Sequence, residues 1–351
     1  MNSVDLSLVG EKLREAFAFC IFSKPGEFQS ELYIQSKSEE TIPEKGFCFS
    51  PFTDTDDCST IYISSSYSSL LEDAELDGFS NIELPLVYSP LEQESYDQYV
   101  STFSIFHEEL SSDSELEKLV LSRVMEKEWE GNPFLLFKTM KNKYPENFVY
   151  LLCHPEAGVW LAASPETLLE VSDQEVQTMA LAGTKMPDNN SEIFWGQKEI
   201  DEHQFVVEYI ESTLKNAGCL NINVGERQTV KAGKVFHLMT PIVGDMNGGM
   251  NWFNLSQDLH PTPAVCGTPK IEARNFILEN ETHNRKYYCG FVGPYSISSV
   301  SLFVNLRCMS LYKNKVSLFL GGGITKASVL EDEWKETENK ALTLLDCLKE
   351  I

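Results

Sequence analysis

Four strand-like segments follow one another between residues 148 and 183, and nothing else in the chain constrains its fold as strongly. FVYLLCH and GVWLAAS flank the turn residues PEAG and read as a hairpin, and TLLEVSD and EVQTMALAG read as a second, since both pairs alternate or are rich in β-favouring residues. Hairpins are antiparallel, because a short turn can only send the chain back beside itself. LFVNLRCMSLYKNKVSLFLGGG (302–323) predicts a third hairpin turning at Lys313-Asn314, and VFHLMTPIVGDM (235–246) reads as strand and loop. FCFSPF, STIYIS and IELPLVY add strand-like runs in the first third, separated by acidic or serine-rich connectors such as SSSYSSLLEDAELDG.

Helices are expected around this strand-rich centre. An amphipathic one is predicted near 4–19. Another spans Ser111 to Lys127, entering or leaving the apolar segment LVLSRV, and a third covers 132–143. Ser191 to Ala217 reads as a long helix with Ser191 as N-cap and Gly218 past its end. Its apolar stripe is Ile193, Ile200, Val207, Ile210 and Leu214; His203 falls on it and is expected to be a buried core histidine. Ser328 and Glu331 form a capping box for a last helix with the stripe Leu330, Trp334, Thr337, Ala341, Leu345 and Leu348, flanked by Glu333 and Lys340.

At 351 residues the chain can bury a large core. There is no repeat of fixed period and no long linker, and the net charge of −25 excludes nucleic acid and anionic membrane as partners by mass electrostatics. No apolar run approaches the ~20 residues of a membrane span. The run AFAFCIF (16–22) follows Asp5, Glu11 and Glu15 and lacks a small-residue cleavage pattern, so no secretory signal is expected. Nine scattered cysteines without C-x-x-C spacing predict reduced thiols and a cytoplasmic protein, neither a disulfide framework nor a zinc site.

Two glutamate pairs carry the first chemical signal. Glu199 and Glu202 lie in QKEIDEHQFVV and Glu333 and Glu336 in EDEWKETENKAL; residues three apart share a helix face. Such carboxylates suit Mg²⁺ better than a soft metal. Gly321-Gly322-Gly323, just before the second pair, suits close approach of an anion. Taken alone, each pair has the plainer reading of a solvated helix face.

Ten segments in order tip that balance: EKLVLSRV (117–124), ASPETLLE (163–170), LAGTK (181–185), KEIDEHQFVV (198–207), HLMTPIVG (237–244), LHPTPAVCGTPK (259–270), RKYYCGFVG (285–293), NLRCMSL (305–311), LFLGGGIT (318–325) and EDEWKETENKA (331–341). Together they resemble the chorismate-utilising enzymes, and among these the isochorismate synthases, over 111–350, with 1–110 matching weakly. The resemblance implies one large α/β (α+β) domain over 1–351, with antiparallel sheets packed at the centre, helices outside and the active site in a cleft.

It also implies roles. Lys118 is the base that activates water, and it needs a pKa lowered by burial or nearby positive charge, Arg123 being close in sequence. Glu166 is the acid, needing a raised pKa that burial beside residues such as Leu168 and Leu169 can supply. Glu202, Glu333 and Glu336 are the Mg²⁺ ligands; Glu199 lies outside the matching position and reads as solvated. Arg307, on a strand face opposite Leu306, suits a substrate carboxylate, as do the amides of Gly321, Gly322 and Gly323. Gly183 and Thr184 line the ring. Tyr288 and Lys340 are further carboxylate contacts, with core packing equally open for Tyr288. His260 orients groups near C2 or the pyruvyl arm, or is a packed loop residue.

Within the family, Lys118 favours water over the ammonia used by anthranilate synthases, which usually carry Gln there. No amidotransferase subunit is then expected. HPTPAVCG points to isochorismate synthase, and the product can feed menaquinone, siderophore or salicylate synthesis alike. Two alternatives stay open: a salicylate synthase that goes on to eliminate pyruvate, and a non-catalytic acidic binding protein on the same fold.

Overall fold

Alternation of apolar side chains folds the centre of the chain into two antiparallel sheets, seen in a computed structural model that describes residues 6–39, 41–90, 92–185, 193–232 and 235–351. With elements numbered in chain order, the first sheet runs β14 (Gly267–Thr268), β6 (Lys118–Glu128), β18 (Lys315–Ile324), β17 (Cys308–Leu311), β8 (Gly158–Ser164), β7 (Phe148–His154), β1 (Ala18–Ser23), β2 (Ser30–Gln35) and β5 (Tyr67–Leu71). The second runs β11 (Leu220–Val224), β13 (Val235–Asp245), β10 (Glu175–Lys185), β9 (Thr167–Ser172), β16 (Ser299–Val304), β15 (Phe291–Tyr295), β3 (Gly46–Ser50) and β4 (Ile61–Ser64), with β12 (Gln228–Ala232) also on β13. All three predicted hairpins form: β7 with β8, β9 with β10, and β17 with β18 around Lys313-Asn314.

The sheets face each other across an aromatic core. Phe47 and Phe49 of β3 meet Phe148 and Tyr150 of β7, and Phe303 of β16 stacks on Phe148 at 4.2 Å. The outer face of the first sheet is covered by helices α1 (Leu6–Arg14), α2 (Asp73–Asp77), α4 (Pro133–Lys143) and α8 (Leu330–Leu348). This double burial explains why β1 and β7 read as unbroken apolar runs. In β1, Ala18, Cys20 and Phe22 enter the inter-sheet core, and Phe19 and Ile21 enter the helix-covered one. All nine cysteines are buried and unpaired, as their spacing predicted.

Several expectations are corrected. The first helix ends at Arg14, because Ala18 onward is claimed by β1. Ser111 to Lys127 is not one helix: α3 (Tyr96–Ser111) stops at Ser111 and β6 starts at Lys118, its charged residues Lys118 and Arg123 being buried in the strand rather than solvated on a helix. IELPLVY forms no strand, since Pro85 cannot donate to a ladder. Instead β5 and α2 arise inside the connector SSSYSSLLEDAELDG. Ser191 lies outside the described residues, and helix α5 (Gln197–Ala217) starts behind Gly196. The last helix is capped by Val329 without a side-chain bond; Ser328 Oγ accepts from Thr325 N and closes the preceding turn. Two further helices, α6 (Trp252–Leu259) and α7 (Lys270–Asn280), lie in the connection between β13 and β15, on either side of β14.

Trp160 ties the sheets together. It is fully buried on β8, stacks on Phe319 at 5.2 Å, meets Phe49 of the opposite sheet edge-on at 5.9 Å, and donates Nε1–H to Ala157 O. Trp160→Ala should lower the unfolding free energy by about 3–5 kcal/mol, the usual cost of a large aromatic removed from a core. A shift below about 1 kcal/mol in equilibrium urea unfolding would show that the two sheets do not depend on this contact.

Candidate active site

β6 and β18 form a long ladder, from Lys315 opposite Glu128 to Ile324 opposite Leu119. Its far end carries Gly321-Gly322-Gly323, where the absence of Cβ atoms is a steric requirement. A Cβ on Gly323 would lie 2.8 Å from Lys118 Cε and 2.9 Å from Glu202 Oε1; on Gly321, 2.7 Å from Tyr288 Oη. On Gly322, which faces the other way as strand alternation demands, it would lie 3.3 Å from Glu333 Oε2 and 3.7 Å from Glu336 Oε1. The predicted glycine loop is thus a strand end around which Lys118, Tyr288 and three carboxylates gather.

Lys118 opens β6 and is 1% exposed; its Nζ stands 2.7 Å from Glu202 Oε1 as an ion pair without a well-aligned hydrogen bond. Glu202 is held by α5, whose stripe Val207, Ile210 and Leu214 is buried and whose His203 bonds Thr240 Oγ1 through Nε2 at 2.8 Å, the buried core histidine expected. α8 brings Glu333, Glu336 and Lys340. Lys340 Nζ donates to Gly321 O and pairs with Glu336 Oε1, both at 2.7 Å. Arg123 takes no place beside Lys118 Nζ in this network: its guanidinium stacks 3.8 Å over Trp334 and donates to Thr337 Oγ1.

Glu166 sits on the short link between β8 and β9, anchored where its carbonyl accepts Val304 N, and is 2% exposed. Burial pushes its carboxyl up to about 8, opposed by the Lys118 ammonium. Arg307 is buried in the turn between β16 and β17, not on a strand face; its φ of 48° aims the side chain at α8, where Nη1 donates to Thr343 Oγ1 at 3.0 Å. Burial lowers its pKa.

One cleft joins most of these groups; Lys118, 1% exposed, and Glu333, 4% exposed, are not among the residues that line it. Glu166, Gly183, Thr184, Glu202, Tyr288, Arg307, Gly321 to Gly323, Glu336 and Lys340 line it, with Val120 and Val265. Glu199 lines it too, contrary to the solvated reading, because Gly183 (φ 68°) packs against its Cβ. His260 is off the cleft wall: it is buried, its Nε2 lies 3.1 Å from Phe52 O, and burial lowers its pKa to about 4, so the packed-loop alternative holds. Sequence reasoning missed His237. It sits on β13 and its Nδ1 donates to Gly183 O at 2.7 Å, leaving a buried Nε2 without a partner at the cleft; burial, with Arg307, lowers its pKa to about 3. The signal was HLMTPIVG, a histidine in an otherwise apolar strand.

Among the described residues no three Asp, Glu, His or Cys side chains close into a metal-ready cluster: Glu202 is turned to Lys118 and Glu336 to Lys340. The donor set around Gly322 and Gly323 is nonetheless all carboxylate oxygen, which fits a hard divalent cation and no soft one.

A family model described as chorismate binding enzyme matches residues 53–349. Isochorismate synthase EntC of Escherichia coli K12 is 29% identical over 266 residues, 73% of this chain and 67% of that protein. Isochorismate synthase MenF of the same organism is 31% identical over 248 residues, 68% of this chain and 57% of its own length. In structure, MenF, the menaquinone-specific isochorismate synthase from Escherichia coli, superposes with a TM-score of 0.81 at 20% identity, covering 99% of this chain and 92% of that one; this likeness shows the fold. Among the described residues no helix is long and apolar enough to cross a membrane.

The raised Glu166 carboxyl has a consequence for stability. A group whose folded pKa lies above its unfolded one stabilises fully below the unfolded value and loses that contribution as pH rises through the folded value, here from an ordinary 4.5 to about 8. Glu166→Gln stays neutral throughout. Its stability relative to the parent should be level near pH 4, rise from about pH 5 to about pH 8 and level off above that, read as the difference in urea midpoint. A difference that stays flat from pH 5 to 9 would mean that the carboxyl is already ionised in the folded protein.

Proposed function

The chain belongs to the chorismate-binding enzyme family, and from that premise we propose that it is an isochorismate synthase, an isomerase that moves the ring hydroxyl of chorismate from C4 to C2. Water adds at C2, the ring double bonds shift, and the C4 hydroxyl leaves with a proton, so the atoms of one water enter and those of another depart. The observation that carries this reading is the pairing of Lys118 with Glu166. They are a buried amine on β6 and a buried, protonatable carboxyl on the link between β8 and β9, close enough that the charge of one acts on the other.

In this reading Lys118 takes the proton from the attacking water and Glu166 gives one to the leaving hydroxyl. The protonation that burial imposes on Glu166 suits a proton donor at neutral pH. Arg307 and Lys340 meet the substrate carboxylates, with the Gly321 to Gly323 strand end allowing close approach. Glu202, Glu333 and Glu336 would hold Mg²⁺. When bound, the ion supplies charge to neutralise and orient the ring carboxylate. Water as nucleophile calls for no ammonia-supplying subunit, and nine unpaired buried thiols suit a reducing, cytoplasmic setting.

Incubation with chorismate and Mg²⁺, followed by chromatography, should yield isochorismate, and isochorismate fed back should return chorismate. Salicylate with stoichiometric pyruvate would move the protein to the lyase reading, and no turnover at all would support a binding role. Lys118→Ala should fold and lose ~10²–10⁴-fold in kcat, the usual contribution of a positioned base; near-normal turnover would assign water activation elsewhere.

Glu333→Gln replaces a charged ligand with a neutral one. It should weaken Mg²⁺ binding measured directly by calorimetry, as well as raising the Mg²⁺ concentration needed after chelation. Unchanged Mg²⁺ affinity would remove Glu333 from the ligand set.

A further inference from the structure

β6 has strand neighbours on both sides only at its start. On one edge β18 pairs with it from Leu119 to Glu128. On the other, β14 reaches only Lys118 and Leu119, and Val120 N bonds Cys266 O at 2.8 Å. The next backbone groups on that edge are taken by two side chains. Arg285 Nη2 donates to Val120 O at 2.7 Å, and Glu281 Oε1 accepts both Ser122 N and Ser122 Oγ at 2.8 Å.

The two side chains grip each other, Arg285 Nε to Glu281 Oε2 at 2.7 Å and Nη2 to Oε1 at 2.6 Å, with side chains 2% and 3% exposed. Arg285 Nη1 reaches on to Val265 O at 2.9 Å, and the guanidinium lies 4.5 Å over the Phe52 ring. Burial opposes charge on Glu281, but Arg285 outweighs it and holds the carboxyl below the usual range. A donor and an acceptor at ladder spacing, joined by an ion pair, do what a neighbouring strand would do.

We propose that Arg285 and Glu281 act as a surrogate strand along the edge of β6, positioning residues that lock Lys118 and Val120 against the Val265 wall of the cleft. Val120 and Val265 line the cleft, Lys118 is two residues before Val120, and Arg285 bonds both valine carbonyls. Without the pair, Val120 O and Ser122 N would be open to water, the edge being held again only where Glu94 N meets Val124 O at 3.1 Å, and the strand carrying the base would be free to shift. A displacement near 1 Å is enough to cost ~10²-fold in rate. The catalytic consequence rests on the isochorismate synthase reading; the positioning itself does not.

Arg285→Lys keeps the charge but cannot span two carbonyls and a carboxylate at once. With folding confirmed by near-UV circular dichroism, kcat for chorismate should fall by about 10–100-fold while KM moves less than about threefold. Hydrogen exchange in peptides covering 118–124 and 262–266 should quicken, with β7 and β8 unchanged. If Arg285→Lys does not fold, Glu281→Gln, which keeps an acceptor for Ser122 but loses the ion pair, carries the same measurements. Should the parent itself not turn over chorismate, the functional reading fails while hydrogen exchange still decides the positioning. Parental exchange at 118–124, or a rate loss that only tracks the unfolded fraction, overturns the inference.

Discussion

The ladder between β6 and β18 is the constraint on which the rest of the cleft depends. It places Lys118, from the first half of the chain, beside a glycine run from the end of the second, and it does so in one register only, since a slip by one residue would turn each side chain to the other face. Glycine at three successive positions lets α5 and α8 approach the strand end from opposite faces and deliver Glu202 on one side and Glu333 with Glu336 on the other. An alanine at any of the three would meet Lys118, Tyr288 or a carboxylate at or inside contact distance.

Burying this many charges is costly unless each is compensated. The compensation takes three forms. Lys118 with Glu202 and Lys340 with Glu336 are ion pairs of long side chains at the cleft wall, pairs that an incoming anion or cation can rearrange. Arg285 with Glu281 is a closed pair whose remaining hydrogen-bonding capacity goes to the backbone, so it fixes geometry. Glu166 is compensated least. Burial outweighs the Lys118 charge there, and the group answers by keeping its proton. The same low-dielectric setting therefore makes some groups structural and leaves one of them holding its proton.

What the sequence disclosed follows from which forces are local. The hairpins at 148–164, 167–185 and 308–324 were legible because turn and pairing lie within a few residues of each other. β6 was not: Glu115, Glu117, Lys118 and Arg123 look like a solvated helical face, and only the tertiary partners Glu202 and Trp334 explain a lysine and an arginine buried in a strand. Ser328 and Glu331 had capping-box spacing, but the Ser328 hydroxyl was recruited by the turn at Thr325. Arg307 reaches the cleft through a left-handed backbone that no side-chain pattern encodes, and His237 hid in an apolar strand. The family motifs located most of the cleft residues; they also suggested His260, which packs against Phe52 and Phe291 instead.

A net charge of −25 opposes an anionic ligand only as far as its field reaches. Exposed charges are screened within about 8 Å at physiological ionic strength, whereas charges inside a cleft interact through a poorly screened medium. The field a ligand meets in the cleft is therefore set by near groups, Lys340 and Arg307 on its wall and Lys118 paired to Glu202, more than by the acidic surface. Glu202, Glu333 and Glu336 reverse that balance locally, and a divalent cation among them would restore it. In such an arrangement anion and cation each make the site more favourable for the other, so an acidic protein can bind both where it would bind neither well alone.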